Sequence, residues 1–496
     1  MKAIIDTRNK GSKIDRHIYG HFSEHLGRCI YDGYWVGENS KIPNIRGIRT
    51  DIVEAMKAIK TPNIRWPGGC FADDYHWMDG VGPREERRPM VNIHWGGTLE
   101  NNHFGTHEFM DLCEQINCEP YICGNVGSGT VREMRDWVEY LTDDGQSPMA
   151  KLRRKNGRDK AWEINFFGIG NENWGCGGNM RPEYYADLFR QYATYVRNYK
   201  YMGKTDWWKV PPITKVAGGE NAERFEWTET LIREAGNSMG ALSVHCYVKP
   251  GEESNGVHFT EKSWYETAVD TFRKEDLFKR NISIMDYYDP DKKVMLAVDE
   301  WGIWVDNEPG TNPGFLYQQN TMRSALCAAL MLHIFHKHSE RIRLANLAQT
   351  INVLQAIILT EGEKMIKTPT YHVFDLLKGH QDADFVPVSW IQKPEKIERD
   401  LPQVDVSASV AIDGKVTISV VNISASRSAD ISFSFADDLP TKAEGKILTG
   451  EITAHNTFEK PENVTTKMLK DIRIEQGELK ISIPAGAIAS LEVLFK

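Results

Sequence analysis

The chain has no run of about 18 consecutive apolar residues, and its mean hydropathy is −0.47, so nothing in it reads as a membrane-spanning helix. Its first residues, Met1-Lys-Ala-Ile-Ile-Asp-Thr-Arg8, lack the apolar stretch of a signal peptide, and the location expected on that ground is the cytoplasm. Positive charge is in deficit. Against 69 Asp and Glu stand 60 Lys and Arg, a net charge of −9, which leaves no global attraction for a nucleic acid. Cysteine is sparse, with eight spread from Cys29 to Cys327, and without an export signal these are expected to be reduced. Cys113, Cys118 and Cys123 recur at intervals of five but lack the tight pair followed by a second pair that structural zinc uses. Cys113 shares an apolar helical stripe with Phe109 and Ile116, which makes it core, and no metal or other cofactor is expected. Internal repeats, low-complexity segments and a Walker A motif are also missing. Gly168-Ile-Gly-Asn-Glu-Asn173 starts like a dinucleotide fingerprint but ends in Asn, and Gly127-Ser-Gly-Thr-Val-Arg132 fails at Arg132.

What is present is a large core in the making: 41% apolar residues, with 14 Trp, 18 Tyr and 19 Phe among 496 residues. That length suits about two to four domains. Between residues 16 and 380, short apolar runs alternate with helical stretches. The expected strands are Arg16–Phe22, Asn63–Trp66, Glu119–Gly124, Asn165–Gly170, Thr214–Gly218, Ala241–Tyr247, Val294–Asp299 and Arg343–Gln349. Helical stripes fill the gaps, for example Ile52, Val53, Met56 and Ile59, or Tyr185, Leu188, Phe189, Tyr192 and Val196. Eight strand-then-helix units predict an α/β fold, a (β/α)8 barrel, with a doubly wound sheet as the competing arrangement. From residue 384 to 496 the period becomes two. Val404, Val406, Ala408, Val410 and Ile412 alternate with polar residues, Asp413-Gly414 makes a hairpin turn, and Val416, Ile418 and Val420 resume the pattern. This predicts a C-terminal antiparallel, jelly-roll-like β-sandwich, to which residues 1–15, through Ala3, Ile4 and Ile5, add a strand.

In barrel enzymes the chemistry sits where the C-terminal strand ends converge. The fourth strand runs into Gly170-Asn171-Glu172-Asn173-Trp174 and the seventh into Asp299-Glu300-Trp301-Gly302. Each places a glutamate just past an apolar strand and beside a tryptophan, on opposite sides of the mouth. Glycoside cleavage needs such a pair: one carboxyl protonates the poor leaving oxygen while the other, ionised, attacks the anomeric carbon. Either glutamate alone reads as solvated or as a helix cap; the facing pair does not. Asn171 adds an amide suited to a sugar 2-hydroxyl. Trp174 and Trp301 either stack on sugar or wedge loops, Trp174 being the better ligand. His94-Trp95-Gly96-Gly97 forms either a wall near the leaving group or a surface turn. His333, His336 and His338 mimic metal spacing, but without a carboxylate nearby in the helical pattern they read as a solvated helix end.

Six segments in order, Gly20-His-Phe-Ser-Glu-His-Leu-Gly27, Ile64-Arg-Trp-Pro-Gly-Gly-Cys-Phe71, Gly168–Trp174, Val298–Gly302, Leu347-Ala-Gln-Thr-Ile-Asn-Val-Leu354 and Thr368-Pro-Thr-Tyr-His-Val-Phe374, resemble the α-L-arabinofuranosidases of glycoside hydrolase family 51. The resemblance spans nearly the whole chain. It implies Glu172 as general acid/base, Glu300 as nucleophile, retention of configuration, and a pocket for one terminal arabinofuranose of an oligosaccharide. It also implies sugar contacts by Glu24 and Arg65, contact of Asn171 with the 2-hydroxyl, orientation of the nucleophile by Tyr247, and closure of the far side by Gln349. Cys70 stands in the substrate loop where one branch of the family has Asn; on its own it reads as a small buried filler. The family further implies a homo-oligomer, commonly a hexamer. The alternatives are another retaining barrel glycosidase, a β-xylosidase or endoglucanase, and a non-catalytic sugar-binding barrel, which would not need two opposed carboxyls.

Overall fold

The computed structural model describes residues 1–201, 209–221, 223–436 and 438–495. After an N-terminal strand, β1 (Lys2–Ile5), eight parallel strands close into a barrel in chain order. They are β2 (Gly20–Phe22), β3 (Asn63–Trp66), β4 (Glu119–Gly124), β5 (Phe166–Ile169), β6 (Thr214–Asn221), β7 (Ala241–Val248), β8 (Met295–Ile303) and β9 (Ile342–Ala348). Closure of β9 onto β2 and of β5 onto β6 excludes the doubly wound sheet. The run expected as a strand over Arg16–Phe22 divides. Asp15 caps a 3-10 turn at Arg16–Tyr19, and only Gly20–Phe22 pairs.

A more consequential difference concerns β8, which extends to Ile303, so Glu300 lies inside the strand and not beyond it. A step of two residues along β7, from Ser243 to His245, is matched against a step of three along β8, from Ala297 to Glu300. Successive strand residues normally face opposite sides, and an extra residue breaks that alternation. This bulge lets consecutive Asp299 and Glu300 both contact the buried polar groups inside the barrel mouth.

The C-terminal region stacks a six-stranded sheet, containing Val404–Val410, Val416–Asn422 and Ile488–Phe495, on a five-stranded one containing Ala429–Phe435 and Glu478–Ile483. β1 lies between Val388–Gln392 and Ala429–Phe435 in the smaller sheet. Ala3 and Ile5 of β1, with Ala408, Val410, Ile418, Phe433 and Leu491, form the dry interior between the sheets. Ile412, expected to continue the buried face, is fully exposed, because the strand ends at Val410 and the Asp413-Gly414 turn begins. Gly414 at φ +82° supplies the left-handed residue this turn requires.

The polar face of Val404–Val410 does not meet water. It packs on helix α1 (Met322–Lys337), which is buried almost all round because the barrel covers one side and the sandwich the other. This overturns the expectation of a solvated helix end at His333 and His336. His333 bonds Asp405 (2.6 Å) and Ser419 (2.8 Å), and His336 bonds Ser407 (2.8 Å) and Tyr19 (2.8 Å). His380 joins through Ser409 (2.7 Å) and Ser419 (2.9 Å), so a buried histidine–serine network cements the two halves. His338, at the helix end, bonds Glu275. Helical periodicity showed where these rings stand on α1 but not that a second domain covers them.

Burial holds His336 well below the ordinary histidine range and His380 down to about 3, and the neighbouring histidines add to both shifts. Their folded forms therefore bind fewer protons than an unfolded histidine near 6.5, so their contribution is full above pH 6.5 and is lost as pH falls. At pH 5 His380 should cost about 2 kcal/mol, read as a fall in the urea midpoint between pH 7 and pH 5, and His336 adds to the fall in the same direction. A His380→Asn variant should show a shallower fall; an unchanged slope would contradict the assignment.

Candidate active site

The loop after β3 begins Pro67-Gly68-Gly69-Cys70. Only residues without a Cβ fit at its two glycines: a Cβ on Gly68 would sit 2.6 Å from the Glu24 side chain, and one on Gly69 2.7 Å from Glu300 Oε1. With that clearance, Gly69 N–H (2.9 Å) and Phe71 N–H (3.0 Å) both donate to Glu24 Oε1. The Gln349 amide donates to Glu24 Oε2 (3.2 Å). Burial and the nearby Glu300 charge raise Glu24 to about 7 in spite of these donors.

Glu172 follows Gly170 in a strained turn, itself at φ +42°, a conformation an L-residue holds only when its surroundings over-determine it. The determinant is Asp73. This buried carboxylate accepts the backbone N–H of Asn171 (2.7 Å) and the Asn173 side-chain amide (3.2 Å) on one oxygen, and the N–H groups of Val126 (2.6 Å) and Gly127 (2.8 Å) on the other. Three loops at the barrel mouth are thereby tied to one side chain. A disulfide between Cys70 and Cys176 adds a second tie beside Glu172, with the Cys176 sulfur 3.7 Å from Glu172 Oε2. This corrects the expectation that all eight cysteines are reduced; the other six are free thiols. Sequence spacing could not reveal the pair, because 106 residues separate its members.

Glu300 is held from several sides. Arg65 Nη1 donates to its Oε1 (2.8 Å), and the Tyr247 hydroxyl donates to Oε2 (3.0 Å). Arg65 also donates to Asn171 Oδ1 (2.6 Å) and stacks over Phe22, so its guanidinium is committed to protein groups behind the cavity wall. Asn171 is left with a buried amide N–H that has no acceptor among the described residues. Between the two glutamates sits His245, with Nδ1 2.8 Å from Glu172 Oε1 and 3.4 Å from Glu300 Oε2, and Nε2 3.3 Å from Asp299. Burial opposes its charge, but the carboxylates of Glu300, Asp299 and Glu172 outweigh burial and raise it to about 10. Asp299 is anchored by Ser243, Tyr121 (2.6 Å) and Arg65, whose charge with that of His245 holds it far below the carboxylate range despite burial. One oxygen of Glu172, one of Glu300 and a ring nitrogen of His245 lie within 4.8 Å of one another, a spacing that could also hold a metal ion. The protonated imidazole supplies the positive charge there and, while protonated, offers no lone pair.

These groups surround a cavity of about 210 Å³. That is below the roughly 300–1,000 Å³ of pockets for drug-sized ligands, and it suits a single sugar ring. Glu24, Cys70, Glu172, Tyr247, Glu300 and Gln349 line it, and Trp95 and Trp304 form aromatic walls. Trp95 belongs to the segment for which a wall and a surface turn were both open; it is a wall. For Trp174 and Trp301 sugar stacking and loop wedging were both open, with Trp174 the better ligand candidate. Trp301 is fully buried against Phe335 and Phe374 and cannot reach a ligand. Trp174 donates its indole N–H to Gly219 O and lies under Arg224, wedging the loop, and it is not part of the cavity lining. His245, Asp73 and Trp304 were missed. The signal for His245 was a histidine inside an apolar strand two residues before Tyr247, on the same face; Asp73 and Trp304 carry no such signal.

Two carboxylates converging on a one-sugar cavity at the C-terminal mouth of a (β/α)8 barrel define a glycoside hydrolase. Comparisons with known proteins narrow the class. Residues 55–252 match the α-L-arabinofuranosidase 1 domain model, and residues 299–486 match the α-L-arabinofuranosidase C-terminal domain model. The chain is 50% identical over 97% of its length, and 93% of the relative's, to an intracellular exo-α-L-arabinofuranosidase of Bacteroides ovatus. The crystal structure of a family 51 arabinofuranosidase from Xanthomonas axonopodis pv. citri superposes with a TM-score of 0.95 at 45% identity, covering 99% of both chains. The arabinose complex of the Thermotoga maritima α-L-arabinofuranosidase does so with a TM-score of 0.86 at 31% identity, over 99% of this chain and 100% of that one. The chain belongs to the α-L-arabinofuranosidases of glycoside hydrolase family 51.

Proposed function

We propose that the protein is a retaining, exo-acting α-L-arabinofuranosidase that removes terminal, non-reducing α-L-arabinofuranosyl residues from oligosaccharides, with Glu300 as nucleophile and Glu172 as general acid/base. The observation that carries this reading is the approach of the two carboxylates to within 4.8 Å at a cavity of about 210 Å³. Retaining enzymes separate their carboxyls by about 5–5.5 Å, whereas inverting ones leave about 6.5–9.5 Å for a water between them.

In the first step Glu300 attacks the anomeric carbon as the glycosidic bond breaks, and the departing oxygen takes the proton carried by Glu172. Arg65 and Tyr247 hold the attacking carboxylate in place, which limits the reorganisation needed at the transition state. His245 lies against both glutamates and bridges the nucleophile to the acid/base. Once the glycosyl–enzyme ester forms, Glu300 is neutral. Glu172 then takes a proton from water, which attacks the same carbon and releases arabinose with its configuration retained. The orphan amide N–H of Asn171 supports a role as donor to the 2-hydroxyl, since a buried donor without a partner costs about 1–3 kcal/mol until a ligand satisfies it.

The natural substrates fitting this reading are arabinan or arabinoxylan fragments. An intracellular site of action follows the name of the Bacteroides ovatus relative, and a hexameric assembly follows the family resemblance. The deciding experiment is time-resolved NMR of nitrophenyl α-L-arabinofuranoside hydrolysis. The α-anomer of arabinose should form first and mutarotate afterwards. A first-formed β-anomer would overturn the retaining assignment, and activity on the xyloside or glucoside but not on the arabinofuranoside would overturn the substrate.

A further inference from the structure

A larger cavity of about 580 Å³ abuts the catalytic pocket, and the two share Asn221, Tyr247 and Trp304 as walls. The catalytic pocket is of a size for one ring, and a group attached to that ring that leaves on the side of the shared residues passes Trp304, whose ring packs edge-on against Tyr247. The larger cavity runs over the rim of the barrel from the end of β7 to helix α2 (Glu261–Tyr288, earlier in the chain than α1).

Its charge is distinctive. On α2, Asp270 is paired with Lys274 (3.3 Å), and Glu266 with Arg399 (2.9 Å). These two pairs cancel. Lys249 and Arg273 remain, both exposed and both without an acidic partner among the described residues. Lys249 stands just past the end of β7, two residues beyond Tyr247, and lines the cavity with it. The lining therefore carries four cations against two anions, an excess of +2 on a chain whose net charge is −9. A cavity for neutral sugars has no use for such an excess, and a lining whose unpaired charges are both positive favours an anionic ligand over a neutral one.

We infer that the leaving-group side of the site takes an anionic saccharide: Lys249 and Arg273 receive the carboxylate of a uronic acid carried by the oligosaccharide from which the arabinofuranose is removed. The inference rests on the reading of the catalytic pocket above. It makes the preferred substrates acidic, arabinose-bearing oligosaccharides, such as fragments whose backbone or side branch carries a hexuronate.

The test compares two arabinofuranosylated oligosaccharides that differ only in a uronic acid and its carboxyl-reduced, neutral counterpart, with nitrophenyl arabinofuranoside as a third substrate. At low ionic strength kcat/KM should favour the uronate about five- to tenfold, what two exposed charge contacts supply, and the preference should shrink at high ionic strength. A Lys249→Ala/Arg273→Ala double variant should bring the uronate down to the neutral value while leaving the other two substrates unchanged. Lys249→Glu should reverse the preference. Equal kcat/KM for both oligosaccharides in the wild type, or a preference surviving in the double variant, would overturn the inference. A chain inactive on all three substrates would overturn the reading of the catalytic pocket instead.

Discussion

Glu300→Ala should lower kcat on nitrophenyl α-L-arabinofuranoside by about 10⁴- to 10⁶-fold, the scale of losing a covalent nucleophile. The change removes the carboxylate that Arg65 and Tyr247 hold and leaves a space beside the anomeric carbon. Azide can enter that space and attack from the same side, so part of the rate should return. The product should be the β-configured glycosyl azide, inverted relative to the substrate. The stereochemistry is the discriminating readout, because a variant that had merely misfolded would give no azide adduct. Loss of activity without any rescue, or rescue yielding the α-azide, would remove Glu300 from the nucleophile's role.

Glu172→Ala should behave differently with each leaving group. Nitrophenolate departs without a proton, so glycosylation of the enzyme should remain fast, while water is no longer activated to release the sugar. The intermediate then accumulates: an initial burst should appear, KM should fall and steady turnover should be slow. An arabinosyl oligosaccharide cannot leave unaided, and its kcat/KM should drop by about 10²- to 10⁴-fold, the usual worth of a positioned general acid. Azide should now attack the glycosyl–enzyme and give the α-azide, with configuration retained. Equal losses on activated and unactivated substrates would place Glu172 outside acid/base catalysis. Two variants that rescue with opposite stereochemistry would separate the two carboxylates more cleanly than any rate.

Some parts of this molecule were legible because they depend on local chemistry. Asn63–Trp66 and Glu119–Gly124 pair over the residues expected, since short apolar runs bounded by polar or small residues have few other ways to be buried. The Gly170–Trp174 segment stood out because a strand that breaks off into Gly-Asn-Glu-Asn has no packing reason for its polarity. Other parts depend on what distant segments bring. Asp299 and Glu300 share one side of β8 only because of a bulge, which a periodicity of two cannot register. Trp301, adjacent to Glu300, left sugar stacking and loop wedging both open, and only the packing decides that it points away from the mouth against α1. The histidines of α1 looked solvated because nothing in the helix announces the serine-bearing strand laid over them.

By itself the amino-acid sequence determined the alternation of strand and helix, the change of period near residue 384, and the presence of two glutamates toward the C-terminal sides of two strands. These are properties of neighbouring residues, set by side-chain periodicity and backbone preference. Only the tertiary structure decided that Asp73 ties three loops around a strained Glu172, that Cys70 reaches Cys176, and that His245 lies charged between Glu172 and Glu300. Each of those joins groups dozens to more than a hundred positions apart, which no stretch of sequence brings together. Burial then strengthens the contacts of Asp73 and His245, while the disulfide needs only that its two half-buried sulfurs meet.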